Sequence, residues 1–133
     1  MSKRQMSSLI FFISSFFVAF AVWADKEQYA LEIKDHLFYP AEIVIPANKK
    51  IKLIIYNRDD TPEEFDSFDL NREKVIFPHK KAVIYIGPLP EGRYEFFGEY
   101  NPNSARGALL VTSAEKTKNK ATINIAPTVI EAH

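Results

Sequence analysis

The stretch Tyr94 to Gly107, YEFFGEYNPNSARG, decides the fold. Its first half alternates aromatic with polar or small residues, the period-2 spacing of a half-buried strand. It then runs into a polar hairpin, and a second strand, Ala108 to Thr112 (ALLVT), follows on the far side. Glu99 falls where the regular spacing ends, so a carboxylate is presented at a rim.

Working outward, Gly87 to Gly92 (GPLPEG) is a turn signal by its paired Gly and Pro residues. Ala82 to Ile86 (AVIYI) before it reads as a strand, reached from Val75 to Phe77, a short strand, through the turn Pro78-His79-Lys80. Asn71 to Lys74 is polar and is expected to hold a helical turn. Further upstream come Glu63 to Leu70, where Phe65, Phe68 and Leu70 are separated by four acids, and the loop Arg58 to Pro62 (RDDTP). Lys50 to Asn57 (KIKLIIYN), Glu42 to Ile45 (EIVI) and Gln28 to Lys34 (QYALEIK) alternate again as strands. Leu37 to Pro40 is expected to bend, because proline has no amide to donate and restricts the residue before it. Short strands, turn signals between them and no amphipathic helix predict an all-β protein, an antiparallel Greek-key β-sandwich, over residues 25–112. Residues 113–133 form a C-terminal extension in which Thr122 to Ala126 is either mobile or one added edge strand.

The chain has 133 residues, 47% of them hydrophobic and 14% aromatic, enough for one core. Basic and acidic residues number 17 each, and Lys3 and Arg4 stand alone at the start, so the remainder carries about −2. No basic face for nucleic acid is implied. Residues 1–24 have a basic start, an apolar run from Leu9 to Val22 and a small-residue end in Val22-Trp23-Ala24. This is the pattern of a signal peptide cleaved after Ala24, which places the domain in the periplasm. An uncleaved anchor is the alternative, against which the apolar run falls short of the ~20 residues that a span needs. An exported domain without cysteine is held by its core alone and offers no thiolate to a metal.

The order of motifs across residues 28–112 resembles the cupredoxins. The matching pieces are Phe38-Tyr39-Pro40, the strand ending at Asn57, Pro62 to Phe65, Leu89 to Phe96 and Ala105-Arg106-Gly107. The resemblance is strongest to one branch, the cupredoxin-like periplasmic proteins of bacterial ferrous-iron uptake, through Thr61 to Phe65, Asp69 to Lys74 and Gly87 to Glu99. It implies a partner of an iron permease or of other periplasmic iron-uptake proteins, proposed to oxidise Fe(II). The blue-copper pattern of two His, a Cys and an axial Met is broken: its first His position falls on Glu63 or Glu64, its Cys position on Gly98 and its Met position on Ala105.

Carried over residue by residue, the resemblance gathers His36, Glu63, Glu64, Asp66 and Glu99 at one end as candidate metal ligands. Hard carboxylate oxygens with one imidazole suit Fe, Mn or Zn better than Cu(I), and carboxylate ligation favours Fe(III) over Fe(II) because the harder ion gains more; iron is the expected metal, with copper as the alternative. Crowded carboxylates raise one another's pKa unless a cation intervenes. Arg58, Arg72 and Arg106 are the available neutralisers, so an arginine–carboxylate network without metal is the competing expectation. A second function class is a binding module that docks on a permease without chemistry. Cu(I) storage finds no support, since Met1 and Met6 are the two methionines and both precede residue 25.

Overall fold

The computed structural model describes residues 26–118. Residues 1–24, expected to be a signal peptide, and the segment Thr122 to Ala126 lie outside the described residues. Nine strands form two sheets: β1 (Gln28–Lys34), β2 (Leu37–Tyr39), β3 (Glu42–Pro46), β4 (Ile51–Asn57), β5 (Glu63–Ser67), β6 (Arg72–Ile76), β7 (Lys81–Ile86), β8 (Gly92–Gly98) and β9 (Arg106–Thr112). One sheet has the order β2-β1-β4-β7 and the other β3-β9-β8-β5-β6. The β-sandwich is therefore as the sequence predicts.

Local spacing explains most of the strands. In β4 every second residue, Ile51, Leu53 and Ile55, is buried, and in β7 Ala82, Ile84 and Ile86 are buried while Lys81, Val83 and Tyr85 are exposed. These buried residues share one core with Phe96, Leu109 and Val111 of the other sheet. At the centre Phe38, Phe65 and Phe96 pack with centroids 5.0–6.2 Å apart in edge-on and tilted pairs. Full burial of side chains this large contributes about 1.5–3 kcal/mol each, which is how the sandwich holds without disulfides.

Three expectations are corrected. Leu37–Tyr39 is not only a bend: it pairs antiparallel with β1 as a short edge strand, and the turn follows at the cis bond Tyr39–Pro40. Asn71 to Lys74 holds no helical turn, because Arg72–Ile76 pairs with β5 from Glu63↔Ile76 to Ser67↔Arg72. Lastly, the sheets are not wholly antiparallel, since β1 runs parallel to β4 and β3 parallel to β9.

Candidate functional site

Strand β5 decides what faces inward. Phe65 must enter the core, so with a two-residue repeat Glu63 and Ser67 enter with it, while Glu64 and Asp66 face outward. Glu63 is thus a buried carboxylate, 1% exposed. It lies at the end of the sandwich where the β1–β2 turn, the β4–β5 loop and the β8–β9 loop meet.

Each of these segments is held by specific bonds. Asp35 and His36 form the β1–β2 turn with positive φ, and their amides donate to the Asp59 carboxylate at 2.8 and 3.0 Å. Asp59 is positioned in turn by its own amide donating to Asn57 Oδ1 at 3.0 Å. The buried Asn57 side chain also donates to the carbonyls of Thr61 and Ile76, tying the β4–β5 loop to β6. In the β8–β9 loop the Ala105 amide donates to the Asn101 carbonyl and the Gly98 amide to the Ala105 carbonyl, closing a tight turn from residue 98 to residue 105.

That turn encloses the Glu63 carboxylate. Oε1 accepts from the amides of Glu64 at 2.9 Å and Tyr100 at 3.0 Å, and Oε2 accepts from Asn101 Nδ2 at 2.7 Å. All three partners are donors, the complement of an acceptor-only carboxylate. The same Asn101 amide stands 3.4 Å from His36 Nδ1. Among the described residues no buried side-chain polar atom lacks a partner.

Gly98 is the other half of this arrangement. A Cβ there would stand 2.7 Å from Glu63 Cδ, 2.9 Å from its Oε2 and 2.8 Å from the Ala105 Cβ. The positions matched to the thiolate and thioether of a blue-copper protein therefore converge, and the Glu63 carboxyl group fills the space beside them.

Of the other predicted ligands, His36 reaches this group only through Asn101, and Glu64, Asp66 and Glu99 lie apart from it. The Glu64 and Asp66 side chains are on the outer face of β5, with Glu73 directly across from Asp66. Hydrogen bonding to the Glu73 carboxyl, then partial burial and the Glu73 charge, hold Glu64 above the usual carboxylate range; the Tyr100 hydroxyl opposes them, and the Asp66 charge adds least. Glu99 is exposed and meets β5 through its amide, which donates to the Glu64 carbonyl. The His36 imidazole is half exposed, 3.8 Å from Asp59. Among the described residues no three His, Cys, Asp or Glu side chains stand together as a metal ion would need.

The expected arginine network is replaced. Arg58 pairs with Glu32, Arg72 donates to backbone carbonyls and Arg106 stacks over Phe97 at 6.0 Å. Glu63 is met instead by amides, above all the side chain of Asn101, a residue to which the sequence pattern assigns no role. The signal that singles out Glu63 from Glu64 is Phe65, two residues on.

A family model for the cupredoxin-like domain matches residues 6–111. The chain belongs to the cupredoxin-like domain family. A curated relative, an uncharacterised protein of Rickettsia prowazekii (strain Madrid E), is 47% identical over 81 residues, 61% of this chain and 65% of that protein. This cupredoxin-like protein therefore spans less than two thirds of that relative's length. Among solved structures it resembles the periplasmic domain of cytochrome oxidase subunit II from Bradyrhizobium japonicum, with a TM-score of 0.63, 13% identity and coverage of 75% of this chain and 96% of that one. It also resembles auracyanin A, a blue copper protein of Chloroflexus aurantiacus, with a TM-score of 0.58, 9% identity and coverage of 66% and 100%. At these identities the likeness is one of fold.

Copper of the blue type does not fit this cupredoxin-like protein. There is no cysteine in the chain, and a side chain restored at position 98 would collide with Glu63. No type 1 site forms.

Proposed function

We propose that the protein is an exported, non-catalytic binding module of ferrous-iron uptake, which docks on an iron permease or another periplasmic iron-uptake protein. The observation that carries this reading is Glu63: its carboxylate fills the space beside the lost thiolate position, and protein donors engage both oxygens. The iron-uptake part rests on the resemblance of Thr61 to Phe65, Asp69 to Lys74 and Gly87 to Glu99 to that branch of the family, and export rests on the leader pattern of residues 1–24.

The test is oxygen consumption by the exported protein with Fe(II), beside co-purification with the permease. The reading expects oxidation at the background rate and a complex that survives purification. Turnover of Fe(II) would overturn it.

One observation favours a second reading, a ferroxidase. His36 and Glu63 share the Asn101 amide, so an imidazole and a buried carboxylate stand on either side of one side chain. With Asn101 displaced, Fe(II) as substrate would meet a hard oxygen and a nitrogen, and four Fe(II) would each give one electron to one dioxygen, which takes up four protons from solvent and leaves as two waters. This reading requires that Glu63→Gln and His36→Ala each abolish any oxidation above background.

A further inference from the structure

The two outer faces of the sandwich differ in charge. On the β5–β6 side Glu64, Asp66 and Glu73 face solvent. The outer face of the other sheet is apolar at its centre and basic around it. Across β4 and β7, Ile54 lies opposite Val83 and Lys52 opposite Tyr85, with Val83 37% and Tyr85 45% exposed. Lys26 and Lys50 reach over the Tyr85 ring, 4.9 and 5.9 Å from its centroid, and Lys81 stands on the same face of β7. The acids on this side are already engaged, Glu32 by Arg58 and Glu27 by Lys49. Lys26, Lys50, Lys52 and Lys81 make no ion pair among the described residues.

We propose that this face of the β2-β1-β4-β7 sheet rests on an anionic phospholipid surface. Tyrosine rings with an apolar body and a polar tip, surrounded by lysines, are the side chains that membrane interfaces select. Each lysine near an anionic surface adds attraction, while the acidic face on the opposite side points away from it. The proposal is independent of the iron reading, because the probe is lipid alone.

The test is co-sedimentation of the exported protein with vesicles of phosphatidylcholine, with and without phosphatidylglycerol. Association is expected only with phosphatidylglycerol and is expected to disappear in high salt. Lys50→Gln with Lys81→Gln should weaken it about 30-fold, roughly fivefold for each lysine. Tyr85→Ser should weaken it as well, whereas Lys74→Gln on the other sheet should leave it unchanged. Equal association with both vesicles, none with either, or no response to the paired lysine change would overturn the proposal. So would capture of an acidic protein by this face without lipid association.

Discussion

Glu63 and Glu64 are neighbours in the chain and opposites in environment. Glu63 is turned into the sandwich, where three N–H donors converge on it and a glycine makes room. Glu64 is turned outward, where the Glu73 carboxyl is its main partner, and its proton is held more tightly for that reason. The same side chain thus serves as a structural acceptor on one side of the sheet and as a source of repulsion on the other. Burial does not decide which acid is tolerated; the supply of donors does.

The sharpest way to break this contrast is to remove the buried acceptor. Glu63→Leu leaves the amides of Glu64 and Tyr100 and the Asn101 side chain without a partner, and a loss of roughly 3 kcal/mol or more is expected in urea unfolding. Glu64→Leu, one residue on, should cost far less.

Next in size is Gly98→Ala, whose Cβ meets Glu63 Cδ at 2.7 Å. Overpacking of this kind costs about 1–3 kcal/mol. If the Glu63 carboxyl is the obstacle, much of that cost should vanish in a Glu63→Ser background, and a double-mutant cycle reads the difference. Additive costs would separate the two positions.

Asn101→Ala removes one donor and leaves Glu63 its two backbone amides, so a loss of about 1 kcal/mol is expected.

The smallest effect lies outside. Because the folded state raises the Glu64 pKa, its favourable contribution is complete below the ordinary value of about 4.3 and is lost as pH rises through the folded value. Glu73→Gln takes away the largest cause of that shift. The variant should therefore be more stable than the native protein near neutral pH and no more stable below about pH 4.3. Unfolding curves at the two pH values check the sign.

The strands that alternate were legible in the sequence: β1, β4, β7 and β8 follow the spacing of Leu31, Leu53, Ile84 and Phe96. β6 was legible only at its end, Val75 and Ile76, because Arg72, Glu73 and Lys74 are all exposed at a sheet edge and leave no apolar alternation to read. β2 was hidden by its length of three residues and by Pro40 just after it. Strand direction left no trace either, since alternation is the same for the parallel pairs β1–β4 and β3–β9 as for antiparallel ones. At the site, the end of the sandwich was legible from Asn57, Gly98 and Ala105. The choice between Glu63 and Glu64 depended on parity against Phe65, and the role of Asn101 depended on a loop conformation that side-chain pattern does not encode.

The central claim, that Glu63 fills and satisfies the end where a cupredoxin would hold its metal, is tested most directly by equilibrium dialysis of the protein against Fe(II) and against Cu(II). The account predicts no stoichiometric binding of either ion, and the same result for Glu63→Gln. One equivalent of tightly bound metal in the native protein, lost on Glu63→Gln, would contradict it.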